Sequence, residues 1–343
     1  MTKDRLKKII RDKKISMGEG LVILGHHYQA DDIIEFADYV GDSLELSRKV
    51  SQLKSAEKIV FCGVYFMAET ASVLAPDKEV YIPDPRAGCP LADMATLKDV
   101  EHAWEMIGEV TSSVIPITYV NSSVEVKAFC GIHEGVVCTS GNAARVFKWA
   151  MERADKILFM PDRNLGRNTA KALGLKGQSI IEWDPSVRHG GVDKADIKKA
   201  RAILWKGWCP VHWPGLRPED VISLRAKIPG LKVIVHPEAD PSTVEESDAA
   251  GSTAQIIEYV KSLGKGSIVA VGTEFNMVNR LSEESRTQVK VLPLKKVLCE
   301  DMARITLDKL AQCLVEPDDS QRVIVDAGIA GNALKALDRM LKI

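Results

Sequence analysis

The chain has 343 residues, 45% hydrophobic and 27% charged, with a net charge of −1. This is ordinary globular composition, too long for a single hydrophobic core, so two or three units are expected. The charge leaves no footprint for nucleic acid or an anionic membrane surface, and no apolar run approaches the roughly 20 residues of a membrane helix. The charged start lacks the apolar stretch of a signal peptide, so a cytoplasmic location is expected.

In chain order, residues 1 to 14 are charged around Ile9 and Ile10 and read as an amphipathic helix. One pattern then recurs three times. The first copy runs Leu21-Val22-Ile23-Leu24, then His26, His27 and Tyr28. Its polar cluster Gly41-Asp42-Ser43 opens a helical period through Leu44, Leu46 and Val50, followed by a second apolar run, Lys58-Ile59-Val60-Phe61, and by Cys89. The second copy has Val114-Ile115-Pro116-Ile117, then Tyr119 and Asn121, the cluster Thr139-Ser140-Gly141-Asn142, the run Lys156-Ile157-Leu158-Phe159, and Cys209. The third has Lys232-Val233-Ile234-Val235, then His236, Pro237 and Glu238, the cluster Gly251-Ser252-Thr253, the run Ser267-Ile268-Val269-Ala270, and Cys299. From cluster to second run the spacing is 17, 17 and 16 residues; from second run to cysteine it is 31, 53 and 32. Repetition with a period near 100 residues is triplication of a domain and not a solenoid.

Short β-branched runs alternating with helical periods, each helix opened by a capping Asp, Ser or Thr, predict parallel sheets. The expected fold is α/β: three homologous three-layer domains with parallel sheets, arranged with pseudo-threefold symmetry around a central active site. The units are placed at 1–100, 101–204 and 205–298. The surplus of the second copy reads as an insertion near 182–203. The helical tail 299–343 is expected to pack back on the first unit and tie the ring shut.

Seven cysteines without a CxxC pair do not read as a disulfide frame or a zinc ribbon. Cys62, Cys130, Cys138 and Cys313 fall in apolar or amphipathic patterns and read as buried free thiols. Cys89, Cys209 and Cys299 occupy equivalent loop positions in the three copies, two of them followed by proline, just before a helix or turn. That context is expected to lower a thiol's pKa, and only the thiolate binds metal. Three such ligands suit either a Cys₃ zinc site or a [4Fe–4S] cluster with one iron lacking cysteine. The threefold arrangement favours the cluster, whose open iron would act as a Lewis acid.

The polar residues beyond the strands would line the crevice where α/β proteins bind ligands. His26, Tyr28, Tyr119, Asn121, His236 and Glu238 follow the first strand of each copy. Ser43, Ser140 and Thr253 offer hydroxyls and helix-start N–H groups to carboxylate or phosphate. Glu238 is expected to have a raised pKa in an anionic pocket and to act as general acid/base, and His212, three residues after Cys209, to donate to a substrate oxygen. His102, His133 and His189 lack the strand-end context and read as surface residues.

The segments Gly25-His26-His27-Tyr28-Gln29, Tyr119-Val120-Asn121, Pro161-Asp162-Arg163-Asn164-Leu165-Gly166, Cys209-Pro210-Val211-His212, His236-Pro237-Glu238, Gly251-Ser252-Thr253 and Gly272-Thr273-Glu274 resemble the quinolinate synthase family, the iron–sulfur enzymes of NAD biosynthesis. The resemblance extends from about residue 20 to residue 310. It implies a transferase that condenses iminoaspartate with dihydroxyacetone phosphate to give quinolinate, phosphate and water. It also implies one [4Fe–4S] cluster per chain on Cys89, Cys209 and Cys299. By motif, His26, Tyr119, Asn121, His236, Ser252 and Thr253 would hold carboxylates or the triose, and Ser43 and Ser140 phosphate or carboxylate oxygens. Tyr28 and Glu238 would move protons. Departures are Glu300 after Cys299, where the family often has proline, and Gly141 where a serine is frequent. The implied partners are the two small substrates, with a possible transient contact to an iminoaspartate-producing enzyme. Two other readings are a different [4Fe–4S] hydro-lyase acting on a small hydroxy acid, and a non-catalytic metal-binding or redox-sensing protein.

Overall fold

The computed structural model describes residues 1–343. Three sheets follow one another along the chain. The first contains β1 (Leu21–His26), β2 (Tyr39–Gly41), β3 (Lys58–Cys62) and β4 (Glu79–Tyr81), in the order β2-β1-β3-β4. The second contains β5 (Val114–Tyr119), β6 (Val136–Cys138), β7 (Lys156–Met160), β8 (Ile180–Trp183) and β9 (Ala202–Trp205), in the order β6-β5-β7-β9-β8. The third contains β10 (Lys232–Val235), β11 (Ala249–Ala250), β12 (Ile268–Gly272) and β13 (Lys290–Pro293), in the order β11-β10-β12-β13. Every ladder is parallel, as the continuous apolar runs require of strands covered on both faces. In each sheet the chain leaves its first strand to one side and then crosses to the other, so a topological switch point lies at the carboxyl ends of β1, β5 and β10.

Capping is local and follows the predicted clusters in two copies. Asp42 and Ser252 cap the Ser43–Val50 and Thr253–Ser262 helices, each in a reciprocal capping box, with Glu45 and Gln255. The second copy departs: its helix starts at Ala143, and the Asn142 side chain instead accepts from the Thr139 N–H at 2.8 Å. Ser140 therefore sits in a turn before the helix and not at its first residue.

The insertion in the second unit begins earlier than its composition suggests. The extra elements are β8, the Arg188–Gly191 turn and the Lys194–Lys199 helix, with β8 added outside β9 at the sheet edge. β9 is buried throughout and pairs with β7, so it corresponds to β4 and β13, whereas β8 is buried only at its two ends. Gly190, at φ +67°, lets this turn lie on the Trp183 ring; a Cβ there would come within 2.3 Å of it.

The tail also departs from expectation. The Leu307–Val315 helix packs on the first unit, against the Lys3–Met17 helix and β3. The final helix, Ala327–Lys342, packs chiefly on the Val124–Ile132 helix and β6 of the second unit, and only secondarily on the Tyr65–Leu74 helix of the first. The reason is a glycine contact: a Cβ on Gly131 would lie 1.8 Å from the Asn332 carbonyl oxygen. Arg339 completes the seam by donating to the Gly135 carbonyl at 2.6 Å. The first two sheets and the terminal helices thereby share one continuous apolar core. The third sheet has a separate cluster on each face, Ile234 with Met277 on one and Val233 with Leu216 on the other. Gly131→Ala is expected to force the final helix off its seat and lower stability in urea by about 3 kcal/mol; an unchanged midpoint would refute the seam as a stabilising contact. No helix is long and apolar enough to cross a membrane.

Candidate active site

The three strand-end loops are local copies of one another. After β1 the Tyr28 N–H donates to His26 Nδ1 at 3.1 Å; after β10 the Glu238 N–H donates to His236 Nδ1 at 3.4 Å. His26, Tyr119 and His236 thus occupy one position of the repeat, and Tyr28, Asn121 and Glu238 another. All six line a cavity of about 410 Å³. Ser43, Ser140 and Thr253 reach the same cavity from the second loops, and His212 from the segment after Cys209. Ser252 does not line it: its hydroxyl is turned to the Gln255 N–H as a helix cap. His102 and His189 are exposed, and His133 is half-buried between Trp104 and Phe129.

Glu238 is the electrostatic centre. It is 2% exposed, with Oε2 at 2.6 Å from His212 Nδ1 and 3.5 Å from His236 Nδ1. The two imidazoles stack at 4.4 Å, and His236 Nε2 lies 3.2 Å from the Ser140 hydroxyl. His212 Nε2 is 3.1 Å from the Thr273 hydroxyl and 3.4 Å from that of Tyr28, and Tyr28 and Thr273 are 2.7 Å apart. From the second unit the Tyr119 phenol faces Glu238. The network therefore joins all three units. Glu238 Oε1 and Asn121 Oδ1 are buried acceptors with no partner in the protein, which is where a ligand's donors would be taken up.

The charge state of Glu238 reverses the expectation of a raised pKa. Burial pushes its carboxyl up, but the neighbouring His236, His212 and Tyr119 side chains outweigh this and hold it down at about 2. Burial, with the neighbouring histidines, lowers His26 well below the ordinary value and His236 to about 3. Burial and Glu238 raise Tyr28 and Tyr119. At neutral pH Glu238 is thus a carboxylate, His26 and His236 are neutral imidazoles, and Tyr28 and Tyr119 are protonated phenols. The sequence reading missed Thr273, which bridges Tyr28 to His212. Its only trace was a place in the Gly272-Thr273-Glu274 segment, because the contact spans 245 residues.

Cys89, Cys209 and Cys299 line this one cavity, each in the loop after the fourth common strand of its unit. Contrary to the expectation of lowered pKa values, burial pushes all three thiols up, Cys299 to about 11; Cys299 adds to the rise at Cys89, and both add to it at Cys209. Helix-start N–H groups do lower Cys89 and Cys299, but less than burial raises them. A cation is what converts such a cluster to thiolates, so the donor set fits a metal centre. Cys62, Cys130, Cys138 and Cys313 are fully buried elsewhere. A smaller donor group overlaps the three: ligand atoms of Cys209, His212 and Glu238 lie within 4.8 Å of one another and could hold a metal ion.

The parallel sheets, the strand-end cavity and the thiols beside a buried carboxylate–histidine network define an α/β enzyme with a candidate metal centre. The family described as NadA, quinolinate synthetase A protein, matches residues 7–342, and the chain belongs to that family. It is 42% identical to quinolinate synthase of Corynebacterium glutamicum over 99% of this chain and 88% of that protein. Identity is 42% to that of Rhodopirellula baltica (98% and 91% covered) and 44% to that of Herpetosiphon aurantiacus (99% and 93% covered).

Proposed function

We propose that this chain condenses iminoaspartate with dihydroxyacetone phosphate to quinolinate, phosphate and water, with one [4Fe–4S] cluster held by Cys89, Cys209 and Cys299. The observation that carries the reading is that one cysteine from each repeated unit reaches the cavity walled by the strand-end residues. When bound, the cluster supplies an iron without a protein thiolate, a Lewis acid toward a substrate oxygen or nitrogen. The protein's own residues do the rest. The hydroxyls of Ser43, Ser140 and Thr253 donate to phosphate or carboxylate oxygens. Neutral His26 and His236, with Asn121, orient the triose and the imine. Glu238, as a carboxylate, accepts from His212 Nδ1 and so leaves Nε2 as an acceptor for the hydroxyls of Thr273 and Tyr28. Tyr28 then gives its proton to His212 Nε2 when it acts as a base and takes it back when it acts as an acid, with Glu238 fixing the tautomer and stabilising the imidazolium formed in between. Walls that bury these groups keep water from the imine. The reading places the reaction in the cytoplasm, with a transient contact to the enzyme that releases iminoaspartate.

The Cys209, His212 and Glu238 donors favour a second reading, a single zinc ion. Anaerobic purification separates the two. The cluster predicts a brown protein absorbing near ~400 nm with about four iron and four sulfide per chain, and quinolinate with phosphate from the two substrates. A colourless protein with one zinc per chain, or an intact cluster that forms no quinolinate, would overturn it.

A further inference from the structure

The helix after the third strand of each unit is built alike at its start. In all three, the first helical N–H donates to the carbonyl two residues before the cysteine of that unit. Tyr65 donates to Ala87 at 2.7 Å, Arg163 to Gly207 at 2.9 Å and Phe275 to Val297 at 2.8 Å. Two of these helices also carry a buried carboxylate at the cap. Asp162 caps the Arg163–Ala172 helix through Leu165 at 2.8 Å, and its other oxygen accepts the Cys209 N–H at 3.2 Å. Glu274 caps the Phe275–Ser285 helix through Asn276 and Met277, and its carboxyl faces the Cys299 backbone. Both carboxylates are 0% exposed. In the first unit Val64 stands at this position.

The same helices grip the next unit. From the second unit, Asn168 donates to the carbonyls of Pro237 and Ala239 at 2.9 Å, and Asn164 to that of Glu238 at 3.2 Å. From the third, Asn276 donates to the Tyr28 carbonyl at 3.2 Å, and Arg280 to those of His27 and Gln29. From the first, the Tyr65–Leu74 helix packs against the Val124–Ile132 helix, just beyond the Tyr119–Asn121 loop. The sense is cyclic, and in the second and third units the helix joins its own cysteine loop to the following unit's strand-end loop.

We propose that Asp162 and Glu274 are positioning residues, each fixing one cysteine ligand and, through the helix it caps, the substrate loop of the next unit, so that metal occupancy and order in that loop are coupled. The inference rests on the three cysteines being ligands of one metal centre. Its physical basis is a short rigid helix bonded at one end to a ligand loop and along its side to a neighbour. Losing the metal frees the cysteine loop, weakens the cap and loosens the neighbouring loop in the shared currency of local order.

The test is amide hydrogen exchange on the full chain, anaerobically loaded and then stripped with a chelator. Stripping the parent is expected to speed exchange about tenfold at 26–31 and 236–239. In the loaded protein, Glu274→Ala is expected to loosen 26–31 and leave 236–239 unchanged, and Asp162→Ala the reverse. Both should lose iron to the chelator about tenfold faster than the parent, the usual cost of a lost outer-shell partner. Asn168→Ala touches neither cap nor cysteine and covers the case in which the cap variants do not fold; it too should loosen 236–239 and speed iron loss. Exchange that is the same with and without metal, or variants that loosen both loops equally, would overturn the coupling. A parent that takes up no iron would instead overturn the metal reading, and with it the inference.

Discussion

Glu238→Gln is expected to lower kcat for quinolinate formation by about 10³-fold while leaving iron per chain at the parental value. The substitution keeps the volume and one acceptor oxygen but removes the negative charge that His212 Nδ1 faces at 2.6 Å. Without that charge the imidazolium is no longer stabilised and the tautomer that leaves Nε2 as acceptor is no longer enforced, so Tyr28 loses its proton partner. Displaced general acid–base groups cost about 10²–10⁴-fold. The measurement is anaerobic turnover beside iron and sulfide content. Activity within tenfold of the parent would remove Glu238 from the chemistry. Loss of metal along with activity would point to the Cys209, His212 and Glu238 zinc set, in which this carboxylate is a ligand.

Cys89→Ser makes the opposite separation. Cys89 lies outside that zinc set but lines the same cavity as Cys209 and Cys299. If the three thiols hold a cluster, replacing one by a hydroxyl, a far poorer iron ligand, is expected to cut iron from about four per chain to below about one. Quinolinate formation should fall by more than about 10²-fold. A single zinc ion would be retained in this variant. The pair of substitutions therefore yields opposite metal contents under the two assignments, and either result rejects one of them.

The fold was legible because the features that build it are local. Continuous apolar runs such as Leu21–Leu24 and Lys156–Phe159 announce strands buried on both faces, and Asp42 and Ser252 announce helix starts within a few residues. The equivalence of the three cysteines was legible for the same reason: it is a matter of spacing. What the sequence did not disclose depends on partners far away in the chain. Glu238 was expected to be a raised acid, and nothing near residue 238 reveals that His212 stacks on His236 and holds the carboxylate charged. The seat of the final helix turns on Gly131 meeting Asn332, two positions that look ordinary in their own segments. Edge strand β8 hid inside a stretch whose composition reads as loop and charged helix.

The matched strand-end positions carry a consequence for how such a pocket came to suit its guest. A ring of three identical chains would repeat every wall residue three times and could offer only a symmetric surround. Joining the copies end to end released each position to diverge, and it has: histidine, tyrosine, histidine at one level, and tyrosine, asparagine, glutamate at the next. The frame still has three matching sheets, but its lining is now lopsided, which lets it hold an unsymmetrical guest in one orientation.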